Sequence, residues 1–570
     1  MLALVVLGLA LRLCGLSEKI VWHDEVATRV LAAGSTMAAQ MQGLYSAQVM
    51  TVAKVLTYQQ VQGQPVRSQP LQNPQELSQA RQDPQARGAQ HEYSSSVLEL
   101  VLDLARHDPQ HPPLYYVLAK VWVNVWGDSV LALRTLSVIF SVLALPALYW
   151  LMRELAASRR AAMLAVLFMG VSPLFILYGQ EAREYALWSL TLLLSSAALL
   201  RARRLSQLGS LSSVRRAWFL YGCCMLIAVY TSLSTLSLIL VQLLYVALVT
   251  RLRWSRALVG FMLSLSAVGL LFLPWALNLL RNFEAFSASM AWSSVIVIPR
   301  TAVLRILSLN VTRNVFDFWP EVVQDQWLPI TASVACTTVV LCACVWAIKS
   351  SPRATRLYLL LLLVLPTAML LMPDLLFGGI RSTNARYLMP VWLGVLAALA
   401  LAFDQALTRA NRAVLCGQPS RCQNVFFTRQ RVVVQLWSAV GCFVILALAT
   451  DILHARQLAP WTKSLSISLP DVAKVINQSP HPLIVGNQER HHPGNLFALA
   501  NLLKPEAKMQ LVPIALESSW TLPAHQGAVY LYSPTDQFRY ALERNSHVTT
   551  KLVVEDLFLQ LWKVEPLVKD

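Results

Sequence analysis

The chain has 570 residues, of which 56% are hydrophobic and 14% are charged, and its mean hydropathy is +0.51. A soluble domain carries about 25% charged residues, so this composition excludes a disordered chain, a coiled coil and an ordinary soluble enzyme, and it indicates a polytopic membrane protein. The net charge of +17 would suggest a nucleic-acid partner for a soluble protein, so its distribution along the chain decides what it means.

About eleven apolar segments are predicted to cross the membrane, because a spanning helix needs about 20 mostly apolar residues. The first segment has no basic stretch before it and no small-residue cleavage pattern after it. We therefore predict a retained anchor rather than a cleaved signal peptide. The segments comprise residues 2–16, 130–151, 161–178, 186–200, 218–230, 233–249, 258–280, 330–348, 357–372, 388–403 and 432–450.

One alternating set of loops between these segments is rich in arginine, as in residues 201–216 and 251–256. Short cytoplasmic loops carry an excess of Lys and Arg, so these loops and the N-terminus are predicted to be cytoplasmic. The net positive charge is then a topology signal, and no nucleic-acid partner is predicted. The short Arg-rich loops and the lack of a retention signal favour a bacterial plasma membrane.

The opposite side of the membrane then holds a first outer loop, residues 18–129, and a C-terminal region, residues 452–570. Within the loop, residues 58–92 are rich in Gln, Pro and Arg and are predicted to form a flexible insertion, because they cannot bury a core. Residues 113–126 predict an amphipathic helix on the outer surface. The C-terminal region alternates short apolar runs with helical stretches. The prediction is an α-helical membrane module, residues 1–451, followed by a small extracytoplasmic α/β accessory domain.

Two carboxylates, Asp24 and Glu25, follow the first apolar segment. Paired acids at a membrane surface lose solvation and repel each other, so they usually have a cation, a metal or a substrate proton as partner. These properties suit a catalytic acid pair, although the pair alone favours the alternative. The alternative is that they lie in the first turn of a helix, where acidic residues are favourable.

A dense charge cluster, Gln-Glu-Ala-Arg-Glu-Tyr at residues 180–185, falls on an outer turn between two predicted spans. Arg183 has the forked geometry that binds a phosphate or pyrophosphate. Glu181 or Glu184 would hold Arg183, a metal or a sugar hydroxyl. The alternative is a mutual salt-bridge cluster that caps the next helix.

A third motif, His-Pro-Pro-Leu-Tyr-Tyr, begins at His111 and starts the predicted interfacial helix. The prolines favour a stiff helix start. His111 and the two tyrosines are suited either to contact a ligand or to anchor the helix in lipid, and the motif alone favours the anchor.

The fourth motif is Arg386-Tyr387-Leu-Met-Pro, at the outer end of the tenth predicted span. Arg386 is suited to bind a lipid phosphate, either that of a substrate or that of a bulk headgroup, and bulk lipid is the commoner case. Acids, arginines and aromatic residues from all four motifs are therefore predicted at one outer face.

In their order along the chain, the motifs WHDE, HPPLYY, QEAREYAL and ARYLMP resemble those of the C-type multi-spanning glycosyltransferase superfamily. Within it, the sequence is similar to the protein O-mannosyltransferase and aminoarabinose transferase group, over roughly the first 450 residues. The resemblance implies a sugar donor carried on a polyprenyl phosphate, transfer on the outer face, and inversion at the anomeric carbon.

Such a transfer needs a base for the acceptor hydroxyl and positive charge for the departing phosphate. By resemblance, Asp24 is the base, and Glu25 orients Asp24 or the acceptor. The cluster around Arg183 faces the donor phosphate or the acid pair, and Arg386 is a second phosphate contact. The other donor-side groups are Tyr185, Tyr387 and His111, and the supporting acids are Glu181 and Glu184. No cofactor is implied, although a divalent metal is left open because some superfamily members use one. The Gln-rich insertion departs from the better-known members, so donor contacts in this loop are not carried over by distance.

Two other functions stay open from the sequence. A transporter or flippase of a lipid-linked substrate would show internal repeats and broken helices with polar residues at mid-membrane, whereas the sequence has no repeat and its charged residues concentrate at the outer face. A non-catalytic cell-envelope scaffold would tolerate changes at Asp24 and Arg183 without loss of function. For the transferase, the acceptor is a glycan, a lipid or a protein, and the sugar is a hexose or a pentose.

Overall fold

The computed structural model describes residues 1–34, 40, 44–59, 96–318, 327–415, 422–488, 493–556 and 559–566. The chain forms two compact units. The first unit comprises Met1–Leu16, Leu104–Tyr115 and Arg134–Arg456, and the second comprises Ser17–Asp103, Tyr116–Leu133 and Gln457–Asp570. The predicted insertion lies almost entirely outside the described residues, and the predicted domain boundary between residues 451 and 452 stays a prediction.

Helices dominate the chain up to residue 456, because inside a membrane a helix satisfies its backbone N–H and C=O groups within the segment. They are α1 (Leu2–Leu13), α2 (His23–Ala32), α3 (Val52–Thr57), α4 (Val97–His107), α5 (Leu114–Trp126), α6 (Val130–Ala156), α7 (Arg159–Val171), α8 (Pro173–Gly179), α9 (Tyr185–Leu208), α10 (Leu211–Thr231), α11 (Thr235–Thr250), α12 (Arg256–Arg281), α13 (Phe283–Met290), α14 (Trp292–Val295), α15 (Arg300–Thr312), α16 (Trp327–Ser350), α17 (Arg353–Phe377), α18 (Met389–Leu415) and α19 (Cys422–Arg456), with a 3-10 helix at Ala385–Leu388.

Seven of the described helices are long and apolar enough to cross a membrane. They lie at Val130–Ala156, Tyr185–Leu208, Arg256–Arg281, Trp327–Ser350, Arg353–Phe377, Ala385–Asn411 and Arg431–Arg456. This number of apolar helices makes the chain an integral membrane protein. The predicted number of spans stays a prediction, since α1 and α11 are apolar but have only 12 and 16 residues.

The predicted span at residues 161–178 is broken rather than continuous. Helix α7 ends at Val171, α8 begins at Pro173, and the two helices are bent by 61°. Proline has no backbone N–H and disfavours helical backbone at the residue before it, so Ser172 is extended, with φ −70° and ψ 120°. The bend sets the direction of α8, and the charged turn at residues 180–184 follows directly from its end.

Helix α1 is tied to this region by a buried guanidinium. Arg12 Nε donates to Ser141 Oγ on α6 at 2.6 Å, and its Nη1 donates to the carbonyl of Gly170 on α7 at 3.1 Å. From the other side, Gln180 Nε2 donates to the carbonyls of Arg12 and Cys14 at 3.0 and 2.8 Å. These bonds satisfy carbonyls that the end of a helix leaves without partners. They fix the start of the charged turn against α1.

The second unit contains a six-stranded mixed sheet in the order β1-β3-β2-β4-β6-β5. Strand β2 pairs parallel with β3 and with β4, and the other pairs are antiparallel. The elements are β1 (Val49–Thr51), α20 (Leu469–Asn477), β2 (Leu483–Asn487), α21 (Pro493–Ala500), β3 (Lys508–Val512), β4 (Val529–Tyr532), α22 (Asp536–Ser546), β5 (Val548–Glu555) and β6 (Gln560–Pro566).

Residues of the first outer loop complete this unit. Strand β1 supplies an edge strand, and Val26 and Val30 of α2 are buried in the same apolar core as Ile484 and Phe497. Strand β2 is buried along its whole length, as expected for a parallel strand covered on both faces. The unit therefore fixes α2, which carries the two predicted acids.

Candidate functional site

The charged turn at residues 180–184 is buried in the first unit. Glu181 is 1% exposed and Arg183 is 3% exposed. Gly179, the residue before the turn, packs closely against Ser141. A Cβ at this position would lie only 2.5 Å from Ser141 Oγ. Burial of charged side chains is costly unless they are paired, so the contacts of Arg183 determine what the turn can do.

Arg183 lies between an acid and an imidazole. Its Nε is 3.2 Å from Glu184 Oε2, and its Nη2 is 3.1 Å from His111 Nε2. Its guanidinium carbon also lies 5.9 Å from the centre of the Tyr185 ring, within the distance at which a cation is attracted to an aromatic face. The salt bridge with Glu184 agrees with the alternative drawn from the sequence, but Glu184 makes no side-chain capping bond to α9.

Asp108 completes this group, and the sequence reasoning did not single it out. Its Oδ2 is 2.8 Å from His111 Nδ1. Partial burial lowers the pKa of His111, but the charge of Asp108 and its hydrogen bond outweigh burial and raise the pKa overall. Burial raises the pKa of Asp108, but the charge of His111 and the hydrogen bonds outweigh burial and lower it overall. The spacing of three residues between Asp108 and His111 was the available signal.

Asp108→Asn should change how stability depends on pH. Because the folded protein raises the pKa of His111 above 6.5, the imidazolium–carboxylate pair stabilises fully below pH 6.5, and its charge contribution is lost as pH rises through the folded pKa. We expect the variant to be destabilised by at most about 1 kcal/mol, because both side chains are partly exposed.

Unfolding temperatures of the detergent-solubilised protein between pH 5 and 9 measure this effect. The gap between wild type and Asp108→Asn should be largest at the acidic end and should narrow above neutrality. Glu284→Gln removes an exposed acid of the same unit and should leave a small, pH-independent gap. A gap for Asp108→Asn that widens with rising pH would contradict the assignment.

Arg386 joins the group through the aromatic rings. Its guanidinium carbon is 5.8 Å from the centre of the Tyr185 ring and 5.4 Å from that of Tyr387. The Tyr185 ring in turn meets the Tyr178 ring edge-on at 5.5 Å. Two guanidinium groups therefore lie near one tyrosine, and the structure brings together the predicted donor-side residues of the first unit. Chemically, two guanidiniums over aromatic faces suit an anion with several oxygens.

A further guanidinium in this region, Arg313 at the end of α15, was missed. It is 4% exposed, its Nη1 donates to Asn310 Oδ1 at 2.8 Å, and its backbone carbonyl accepts from Leu174 of α8 at 3.0 Å. Burial lowers the pKa of Arg313, and the charge of Asp317 opposes this effect. Arg313 also lies within electrostatic range of Tyr178. Arg313 directly follows a helix that also contains Arg300 and Arg305, so nothing in the sequence set it apart.

The two predicted catalytic acids belong to the second unit, in the first turn of α2. Asp24 and Glu25 lie in the first turn of this helix, as the alternative predicted. Trp22, which precedes the helix, makes no side-chain capping bond. The two differ in exposure: the Asp24 side chain is 17% exposed and that of Glu25 is 1% exposed. Glu25 Oε2 is 3.3 Å from Lys463 Nζ, which is itself 1% exposed. Glu25 is therefore half of a buried ion pair, and Asp24 is the accessible acid.

A second set of bonds holds the start of α2. Ser466 Oγ accepts from the His23 backbone N–H at 3.2 Å and donates to Asn495 Oδ1 at 2.6 Å. Gly494 lets this approach occur, since a Cβ there would lie 2.7 Å from the His23 carbonyl oxygen. The His23 ring is 3.5 Å from Asp24 Oδ1. The backbone that carries Asp24 is thus fixed by residues more than 400 positions away in the sequence.

Among the described residues, no three His, Cys, Asp or Glu side chains are grouped so that they could hold a metal ion. The divalent ion considered from the sequence stays an open alternative.

No family model matches the chain, and no curated protein matches it. Among solved structures it is similar to ArnT from Cupriavidus metallidurans bound to undecaprenyl phosphate, at 13% identity and a TM-score of 0.49, with 99% of this chain and 97% of that chain covered. It is similar to the apo state of ArnT at 14% identity and a TM-score of 0.45, with 80% and 87% covered. It is also similar to the apo oligosaccharyltransferase of Archaeoglobus fulgidus at 15% identity and a TM-score of 0.42, with 72% and 58% covered.

Proposed function

We propose that the protein is a membrane glycosyltransferase that moves a sugar from a polyprenyl-phosphate donor to an acceptor hydroxyl, with inversion, on the extracytoplasmic face of a bacterial plasma membrane. The observation that carries the proposal is the grouping of Arg183 and Arg386 around Tyr185. A buried arginine, Arg183, and a half-buried one, Arg386, near the ends of apolar helices suit a ligand that joins a lipid chain to a phosphate.

The first role is to stabilise the leaving group. When the bond between the anomeric carbon and the phosphate oxygen breaks, the electron pair leaves with the polyprenyl phosphate and increases its negative charge. Arg183 and Arg386 supply positive charge where this negative charge develops, which is the kind of interaction that lowers a barrier most. Glu184 holds Arg183 in place, as does the neutral form of His111, whose Nε2 accepts from the guanidinium, and Asp108 holds His111.

The second role is to remove the acceptor proton. The acceptor oxygen attacks the anomeric carbon, and its proton passes to the carboxylate of Asp24, the accessible acid of the pair. Glu25 is a positioning residue in this proposal, because its carboxylate is already bound by Lys463. The transition state is oxocarbenium-like, with charge on the ring oxygen and the anomeric carbon.

The proposal is tested by sugar transfer in liposomes that contain the purified full-length chain. A panel of polyprenyl-phosphate hexoses and pentoses is offered with glycan, lipid and peptide acceptors, and transfer is followed by mass spectrometry. Transfer from at least one donor is the expected result. Movement of the intact donor across the bilayer without transfer would replace the proposal with a flippase. Neither transfer nor movement, with a folded protein, would favour the scaffold.

Arg183→Gln should lower kcat for transfer about 10²–10³-fold, because it removes one preorganised charge from the leaving phosphate. Arg183→Lys should recover little of this loss, since lysine keeps the charge but not the forked, stacked geometry. Steady-state kinetics with the best donor measure both variants.

The matched control is Arg281→Gln, an exposed guanidinium at the end of α12 in the same unit. It should keep kcat within about twofold, as is usual for a surface change. Unfolding temperatures must be recorded for all three variants, because Arg183 is buried. A folded Arg183→Gln protein with wild-type kcat would remove Arg183 from the phosphate site.

A further inference from the structure

A long apolar groove runs between two helices of the first unit, α10 and α12, and its lining contains neither Arg183 nor Arg386. It encloses about 760 Å³, within the range of roughly 300–1,000 Å³ that is usual for small-molecule sites. On both helices the lining positions recur every three or four residues, from Leu211 to Leu226 on α10 and from Arg256 to Leu271 on α12. At about 1.5 Å per residue, each lining face is about 22 Å long.

The groove is open beside Gly222, where two small residues, Gly222 and Ser264, face each other. A Cβ at Gly222 would have only the Ser264 Cβ nearby, at 3.8 Å, so the space beside it is open. The floor is rigid: Trp218 is 4% exposed, its Nε1 donates to Ser206 Oγ at 3.1 Å, and a Cβ at Gly260 would collide with its indole. The groove is therefore preformed rather than a gap that side chains could close.

One end of the groove is basic. Arg215 and Arg256 belong to its lining, and so does Trp254, which is 87% exposed. Tryptophan is typical of the level of the lipid headgroups. These residues lie in the arginine-rich loops predicted to be cytoplasmic, where anionic lipids attract Lys and Arg. A long apolar cavity with two guanidiniums at one end is complementary to an amphiphile with an anionic head.

We propose that this groove is a binding site for an anionic glycerophospholipid. One acyl chain lies along the face that contains Gly222 and Ser264, and the headgroup phosphate is bound by Arg215 and Arg256. This site is independent of the proposed transferase function, because it uses none of the residues assigned to the donor or the acceptor.

Native mass spectrometry of the full-length chain tests the proposal. The protein in detergent is offered phosphatidylglycerol and phosphatidylcholine with identical acyl chains. Wild type should retain phosphatidylglycerol preferentially, and Arg215→Gln/Arg256→Gln should reduce this preference about tenfold or more, given roughly 1 kcal/mol per basic residue near the surface. Gly222→Leu, which fills the groove, should reduce the binding of both lipids.

The matched control is Lys349→Gln/Arg353→Gln, two exposed basic residues at the ends of α16 and α17. It should keep the wild-type preference, and unfolding temperatures confirm that each variant is folded. Equal retention of the two lipids by wild type, or an unchanged preference in Arg215→Gln/Arg256→Gln, would overturn the proposal. So would retention of undecaprenyl phosphate in preference to phosphatidylglycerol by wild type, if Gly222→Leu abolished that retention, since the groove would then be a carrier-lipid site.

Discussion

Asp24→Asn is expected to lower kcat/KM for sugar transfer about 10²–10⁴-fold, the range attributed to general base catalysis. Asparagine keeps the shape of aspartate but cannot accept the acceptor proton. The unfolding temperature should change little, because Asp24 is partly exposed and its Oδ1 lies 3.5 Å from the His23 ring. A loss of activity without a loss of stability is what separates a base from a structural acid.

Two measurements sharpen this test. Glu18→Gln removes an exposed acid six positions earlier in the same unit and should keep kcat/KM within about twofold. The pH profile of wild type should show an acidic limb that Asp24→Asn lacks, because the base must be ionised. Wild-type transfer by a folded Asp24→Asn protein would move the base to another acid, of which Glu181 is the first candidate.

The apolar helices could be predicted from the sequence because hydropathy is a local property. The predicted spans at residues 130–151 and 258–280 correspond to the helices Val130–Ala156 and Arg256–Arg281 of the structure. The break at Pro173 is also local, and its signal was present in the sequence. The apolar run continues through Pro173, so a count of apolar residues predicted one span. The structure has two helices there, α7 and α8, because proline has no backbone N–H to continue the helix.

The partners of the charged groups could not be predicted in this way. Glu25 and Lys463 are 438 positions apart, and nothing in the sequence around Lys463 indicates that it pairs with an acid. Asp108 was within reach because it is close to His111 in sequence. The strand β1 could not be predicted, because its three residues form a strand only by pairing with β3, which is more than 400 positions away in the sequence. Long-range pairing depends on topology, which a single sequence does not display.

Breaking the buried ion pair should give the largest stability change in the second unit. Glu25→Gln and Lys463→Met are each expected to lower the free energy of unfolding by about 3–5 kcal/mol, because each leaves a buried charge without its main counter-charge. The Lys463 ammonium also lies 5.6 Å from the centre of the Trp22 ring, so its loss removes a cation–aromatic contact as well. Denaturant titration in mixed micelles, followed by tryptophan fluorescence, measures these changes.

The double variant Glu25→Gln/Lys463→Met separates the charge pair from the shape of the site. Replacing both members of a buried pair by neutral groups of similar size is often close to neutral, so the double variant should recover most of the stability that each single variant loses. Sugar transfer then distinguishes the two roles of Glu25. If Glu25 only positions α2, the refolded double variant should transfer at a rate near that of wild type. If transfer stays abolished while stability returns, the Glu25 carboxylate itself takes part in the reaction, and the positioning role is wrong. Additive losses in the double variant would show instead that the two charges do not depend on each other.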